Sequence, residues 1–213
     1  MENNKKHIRR IMPLLVVLLI GAWAFWVISY NHKLKERDLV PIENYEMKQF
    51  AELGKNYCYG NYYDGISICA NDYIIMDTDS YLKGKGLAEE EFGTLTEKIC
   101  IVDLTVTYKA ADEQGNTEQD IDKAHMDVDM GAFYMYGQDY YAGQNRELFF
   151  VENPWTDGTT GIRFHNGDSC NVKLVFNLDK RYYSKHSWEH LDEVPRMLFL
   201  TGRPIQRNIV LHE

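Results

Sequence analysis

His186-Ser187-Trp188-Glu189-His190 spells H-x-x-E-H, a pattern in which a helix offers two imidazoles to Zn²⁺ and the glutamate serves as general base. A zinc hydrolase built on His186, Glu189 and His190 needs a third ligand, a helical platform and a cleft. Only 23 residues follow His190, they read as two strands, and Glu193 is the sole nearby carboxylate donor besides the terminal Glu213. Arg181 and Lys185 would set positive charge beside the metal. The segment is therefore expected to be a solvated loop or helical turn with Trp188 packed inward. Asp77-Thr78-Asp79-Ser80 alternates carboxylates as a calcium loop does, but it lacks the glycine and the distal bidentate glutamate. A turn satisfied by its own Asp and Ser side chains is the expectation there. Asp127 and Asp129 fall on the polar side of a strand, and Cys170 with His165 lacks an activating third group. These residues call for no metal, no cofactor and no catalytic site.

Four cysteines, Cys58, Cys69, Cys100 and Cys170, allow three disulfide connectivities. Cys58 and Cys69 flank a turn rich in Tyr and Gly, which suits a local bridge. Cys100 and Cys170 each begin a strand-like run on its apolar face, which suits either a bridge or two buried thiols. The absence of Cys-x-x-Cys argues against zinc. Ten of the fifteen tyrosines are clustered: Tyr57, Tyr59, Tyr62 and Tyr63 around one turn, Tyr134, Tyr136, Tyr140 and Tyr141 around another, with Tyr182 and Tyr183 just before the H-x-x-E-H segment. Tyrosine gives large contact area at small entropic cost, and adjacent pairs near turns cannot all face one core. Tyr57, Tyr59, Tyr62, Tyr63, Tyr140, Tyr141, Tyr182 and Tyr183 are thus the expected binding surface.

The elements that must carry these residues begin with an address. Residues 11–30 form a 20-residue run without formal charge, preceded by Lys5, Lys6, Arg9 and Arg10 and followed by Lys33, Lys35 and Arg37. A helix of that length spans roughly 30 Å, the thickness of a bilayer's hydrocarbon core. A cleavable signal peptide ending at Ala22-Trp23-Ala24 is the competing reading, but the apolar run continues through Ile28 and exceeds an ordinary signal core. Trp23, Trp26 and Tyr30 suit the far interface, and the basic residues before the run favour a cytoplasmic N-terminus. The expected organisation is a cytoplasmic tail over 1–10, an anchor over 11–30, a charged tether over 31–42 and an extracytoplasmic domain over 43–213. No later apolar run could cross a membrane. Outside the first ten residues 19 basic side chains face 31 acidic ones, about −12, which repels nucleic acid and attracts cationic peptides.

The exported part reads as strands, because its dominant period is two. Cys100, Val102, Leu104, Val106 and Tyr108 alternate with Ile101, Asp103, Thr105 and Thr107; Cys170, Val172, Leu174, Phe176 and Leu178 alternate with Asn171, Lys173, Val175 and Asn177. Ile66, Ile68 and Ala70 repeat the pattern. Shorter strands are expected over 45–53, 73–76, 126–130, 148–151, 161–164, 197–201 and 205–211. Turn residues at 112–115, 153–154, 157–158, 166–168 and 202–204 separate them. Short helices are expected over 87–98 and 184–191. Many short strands cut by such turns argue for an all-β antiparallel sandwich.

The run 99–108, the run 172–178, the segment 198–205 with its closing strand, and Asp64-Gly65-Ile66 resemble the immunoglobulin-like extracytoplasmic domains of small membrane-anchored or lipoprotein surface proteins of Gram-positive bacteria. The resemblance covers residues 43–211 and rests on strand pattern, without the Cys, Trp, Cys spacing of immunoglobulin domains proper. It implies an immunoglobulin-like sandwich behind a single anchor and no catalytic residue. The functional expectation is a single-pass, non-catalytic binding or accessory protein that meets a surface ligand or a membrane-protein partner. Sequestration of cationic peptides, as an immunity function, is the alternative drawn from charge, and the zinc hydrolase is the enzymatic one.

Overall fold

The computed structural model describes residues 40–58, 61–110, 124–137 and 140–212, with residues 21, 23, 25–27 and 29 in helical backbone and, for Tyr57, Cys58 and Asn61, the main chain only. The chain divides into two units, 1–39 and 40–213. In the first, Trp23, Phe25 and Trp26 are exposed. The apolar run over 11–30 lies largely outside the described residues, and among those described no helix is long and apolar enough to cross a membrane.

The second unit is mostly β. Its strands are β1 (Ile42–Glu46), β2 (Ala51–Glu52), β3 (Tyr57–Cys58), β4 (Asn61–Tyr62), β5 (Ile66–Asp77), β6 (Lys98–Tyr108), β7 (His125–Asp129), β8 (Tyr134–Tyr136), β9 (Tyr141–Ala142), β10 (Gly161–His165), β11 (Ser169–Leu178), β12 (Arg196–Thr201) and β13 (Gln206–Leu211). Among the described residues three short α-helices interrupt them: α1 (Thr78–Lys85), α2 (Arg146–Glu152) and α3 (Lys185–Glu189). Two sheets dominate, one in the order β11-β6-β5-β2 and one in the order β1-β13-β12-β8-β9, with the small pairs β10-β7 and β3-β4 beside them. Among the described residues the pairing is antiparallel except that β1 runs parallel to β13, from Ile42 opposite Gln206 to Glu46 opposite Val210. The expectation of a purely antiparallel arrangement is corrected at that edge. Parallel neighbours need a long connection, and here the whole domain lies between them.

Alternation builds the core as expected. Ile68, Ala70, Val102, Leu104, Val172 and Leu174 from the first sheet share one cluster with Met135, Leu198, Leu200, Ile209 and Leu211 from the second. The outer face of the first sheet is dry at one end, where Ile99, Ile101 and Val175 pack with Tyr81 and Leu82 of α1 and Leu148 of α2. Farther along the same face the side chains turn polar. Asn71 Nδ2 donates to Thr105 Oγ1 at 2.9 Å and the Thr105 hydroxyl to Asn171 Oδ1 at 3.0 Å.

Three elements differ from expectation. The strand expected over 45–53 is parted by a turn at 47–48, where Lys48 takes φ 66°, and splits into β1 and β2. Residues 148–151 are helical: Asn145 Oδ1 accepts the Leu148 N–H at 3.0 Å and starts α2 as an N-cap. The helix expected over 87–98 is a single 3₁₀ turn at Glu89–Glu91. Helix α1 lies earlier, over the Asp77–Ser80 motif, and is stopped by Gly86 at φ 69°, whose N–H reaches the carbonyls of Leu82 and Lys83.

Of the two readings of Cys100 and Cys170 the structure has the thiols, and the local bridge of Cys58 to Cys69 is not formed, because Cys69, Cys100 and Cys170 are free. Register explains it. Cys100 faces Phe176 on β11 while Cys170 faces Val106 on β6, six residues apart, or about 20 Å at the strand rise. Cys69 faces Thr105, five residues from Cys100. A bridge needs Cα atoms within about 7 Å. Burial pushes the Cys69 thiol pKa up, that of Cys170 up to about 11 and that of Cys100 to about 12. Cys170 is therefore a protonated and poor nucleophile at neutral pH.

Candidate functional site

One cleft of about 520 Å³ opens between the β8–β9 turn and the segment that runs from Tyr182 to Met197. Its size lies within the range of roughly 300–1,000 Å³ typical of small-molecule sites. Tyr136, Tyr140, Tyr182 and Tyr183 supply aromatic walls, and Met197 contributes apolar surface.

Local chemistry positions each wall. Gly137 N–H donates to the Tyr140 carbonyl at 3.0 Å and closes the β8–β9 turn. A Cβ at Gly137 would lie 2.1 Å from Tyr140 Cε1, so only glycine lets that ring fold back over the chain. On the opposite side Asp179 accepts the Arg181 N–H at 3.0 Å and also holds the Arg181 guanidinium, which fixes the 3₁₀ turn ending at Tyr182. Ser184 then caps α3 by accepting the Ser187 N–H at 3.0 Å. Trp188 is buried and anchors that helix to the core.

The walls meet as a ring stack. Tyr140 and Tyr183 lie 4.6 Å apart at 24°, and Trp188 meets Tyr183 edge-on at 5.6 Å. Tyr140 Oη donates to the Pro195 carbonyl at 3.4 Å. Burial pushes both tyrosine pKa values well above the ordinary range, so the phenols stay neutral donors. The Tyr183 hydroxyl is buried and finds no hydrogen-bond partner among the described residues.

Arg196 is fully buried at the start of β12, within electrostatic reach of both stacked rings. Its Nη1 donates to the Val194 carbonyl at 2.8 Å and its guanidinium lies 5.9 Å from the centre of the Tyr73 ring. Its Nε and Nη2 have no partner among the described residues. Its charge reaches Tyr140, Tyr183 and Cys100, where it opposes the effect of burial on their acidity.

The H-x-x-E-H residues do not converge on one point. His186 and His190 both line the mouth of the cleft with their rings 4.6 Å apart, and His190 Nδ1–H donates to the His186 carbonyl at 3.0 Å. Glu189 instead pairs with Lys185 at 3.8 Å. Helix α3 has only five residues, and among the described residues no group of three His, Cys, Asp or Glu side chains could hold a metal.

The sequence-derived tyrosines separate into different places. Tyr140, Tyr182 and Tyr183 come together at the cleft. Tyr141 is exposed and packs on Tyr134 at 5.0 Å, and Tyr62 is exposed on the β3–β4 hairpin. Tyr63 is a core residue, fully buried with its edge toward Phe133 at 6.3 Å, so it presents no surface. The backbone of Tyr57 pairs with that of Tyr62, while Tyr59 lies outside the described residues. Sequence reasoning missed Tyr136 and Arg196. A signal for Arg196 existed: it shares the inward period-two face with Leu198 and Leu200.

A mostly β domain with an aromatic cleft and a buried cation in its core is the class that this geometry defines. The chain belongs to a family described as a domain of unknown function (DUF5028), which matches residues 42–207. The match begins at the first residue of β1 and includes every cleft residue named above. No curated protein and no solved structure compared with this chain matches it.

Proposed function

We propose that this protein is a non-catalytic binding or accessory module, held at the outer face of a cell membrane by residues 11–30, with the tyrosine cleft as its ligand site. The single observation that carries the reading is the cleft: four tyrosines around about 520 Å³, built by a glycine and two capped turns. Aromatic side chains with polar tips suit recognition, because they bury large area at little entropic cost. The charge-free run over 11–30 and the exposed Trp23, Phe25 and Trp26 support the anchor. Two sheets sharing one core support an immunoglobulin-like architecture, from which the parallel β1–β13 pair departs.

A ligand screen by thermal shift on the full-length protein in detergent micelles tests the site. At least one ligand should raise the melting temperature, and Tyr182→Ala should abolish that rise without altering the unliganded protein. Tyr182 is 58% exposed, so its truncation leaves the core intact. Ligands that bind equally well to the variant would refute the site. The acidic exterior, about −12 beyond residue 10, supports a second reading in which cationic peptides are sequestered. Salt-insensitive peptide binding would remove that second reading.

A further inference from the structure

We propose that the cleft holds the end of a neutral glycan with flat, equatorially linked pyranose rings, and that the chain continues from the cleft across the outer face of the second sheet. This deepens the reading of the cleft as a ligand site and rests on it. Two independent observations point the same way.

The first is an aromatic band that begins in the cleft and leaves it. Tyr136 and Met197, both cleft residues, are register partners on β8 and β12, and the next partners on the same face are Tyr134 and Phe199. That face points away from the core, because Met135 and Leu198, which alternate with them, are fully buried. Tyr134 lies 6.0 Å from Tyr136, stacks on Phe199 at 4.3 Å and 15°, and meets Tyr141 of β9 at 5.0 Å. Tyr141 ends the band with 57% of its surface exposed, while Tyr182, on the cleft wall opposite the β8–β9 turn, is 58% exposed. An aromatic ring carries slightly negative faces. The C–H face of a pyranose with equatorial hydroxyls is a flat, weakly positive partner for such a ring. One ring stacks with one sugar, whereas rings spaced along a sheet select a chain.

The second is the polar inventory of the cleft. Among the described residues no Lys or Arg side chain lines it, and Glu193, exposed at the rim, is its sole carboxylate. Arg196, buried in the core, sets positive charge within reach of Tyr140 and Tyr183. A ligand with formal charge of either sign meets one of these two groups unfavourably; a neutral ligand avoids both penalties. What the cleft does offer is hydrogen-bonding groups of both kinds. Ser187 and Tyr182 bring hydroxyls and Glu193 brings acceptors. His190 spends its Nδ1–H on the His186 carbonyl and keeps Nε2 as an acceptor. Tyr136 accepts from Gln206 Nε2 at 3.0 Å, which leaves its own O–H to donate. Sugar hydroxyls donate and accept at once and match this mixed set. A proline-rich segment brings carbonyl acceptors alone and leaves Glu193 and His190 without donors.

The test is calorimetric titration of the full-length protein in micelles of a detergent without a sugar headgroup. The neutral probes are cellohexaose, N-acetylated chitohexaose and their dimers; hexagalacturonate, hexalysine and decaproline represent anionic, cationic and proline-rich ligands. A neutral hexamer should bind, and about tenfold more tightly than its own dimer, since one further ring stack is worth about that factor. Tyr182→Ala should weaken hexamer and dimer alike, and Tyr141→Ala should weaken the hexamer more than the dimer. Both side chains are more than half exposed, so the variants keep the core intact, which thermal melts verify. Binding of neither neutral hexamer, a hexamer no tighter than its dimer, or tighter binding of hexagalacturonate, hexalysine or decaproline would overturn this inference. If one of those three binds and Tyr182→Ala abolishes it, the glycan assignment falls while the cleft stands as a ligand site. If a neutral hexamer binds and neither variant weakens it, the site itself is wrong.

Discussion

Replacing Arg196 by methionine should stabilise the protein. Arg196 is fully buried, and its loss removes one charge-assisted hydrogen bond to the Val194 carbonyl at 2.8 Å and a contact with the Tyr73 ring at 5.9 Å. Those losses amount to about 1.5–3 kcal/mol for the hydrogen bond and about 0.5–2 kcal/mol for the ring contact. Against them stands the penalty of holding a charge out of water with two nitrogens unpaired, several kcal/mol in effective terms. Methionine is unbranched and polarizable and fills most of the vacated volume. Where buried charges have been replaced by well-packed apolar groups the outcome is neutral to about 4 kcal/mol stabilising, so a gain of about 1–3 kcal/mol is expected here. For a domain of this size each kcal/mol raises the melting temperature by about 2–4 °C. Near-ultraviolet circular dichroism of full-length protein in micelles reads the transition through the tyrosine and tryptophan signals. A melting temperature lowered by several degrees would show that the guanidinium is compensated in the folded protein and would refute the reasoning.

Gly137→Ala should weaken ligand binding more than it weakens the fold, since a Cβ 2.1 Å from the Tyr140 ring displaces that ring from its stack on Tyr183; overpacking of this kind costs about 1–3 kcal/mol, and parallel titration and thermal melts separate the two effects. Glu152 is almost wholly buried and receives Tyr81 Oη at 2.9 Å, Lys85 Nζ at 2.7 Å and Lys173 Nζ at 3.1 Å. Burial pushes its pKa up, but the hydrogen bonds from Lys85, Tyr81 and Lys173 outweigh burial and hold the carboxyl below its usual range. A depressed folded pKa contributes stability that is complete above the unfolded value of 4.5 and is lost as pH falls through the folded one. Glu152→Gln should therefore flatten the acid limb of a stability-against-pH curve and cost about 1–3 kcal/mol at neutral pH, whereas an unchanged acid limb would contradict the assignment. Reductant should leave the melting temperature unchanged, and thiol titration of the denatured, unreduced protein should find at least three free cysteines, as Cys69, Cys100 and Cys170 are unbridged.

Strands were legible wherever one face is apolar and the other polar. The runs at β6, β7, β10, β11, β12 and β13 lie within a residue or two of their sequence-derived bounds, because period two over five or more residues has few competing explanations. Strand β5 is longer than its fragments suggested, since the bulge at Asn71 between Ala70 and Asp72 breaks the alternation and makes one strand read as two. Helix α2 was misread because Leu148, Phe149, Phe150 and Val151 form a short apolar, aromatic run of the kind strands also use. The deciding signal was Asn145 three residues before Leu148, a helix cap. At the cleft, adjacent tyrosines marked Tyr182 and Tyr183 in sequence, but pairing says nothing about which turn faces which. Tyr140 reached them only through long-range packing, and Tyr63 went into the core. Arg196 was readable only as a charge on an inward strand position.

Contact between a ligand and the tyrosine cleft is read most directly by nuclear magnetic resonance of the full-length protein with ring-labelled tyrosine, titrated with a compound that raises its melting temperature. The signals of Tyr136, Tyr140, Tyr182 and Tyr183 should move together and saturate with one dissociation constant, while those of Tyr45, Tyr62 and Tyr63 stay in place. Movement confined to the exposed Tyr62 or Tyr141, or no saturable movement at any tyrosine, would contradict the assignment of the cleft as the binding site.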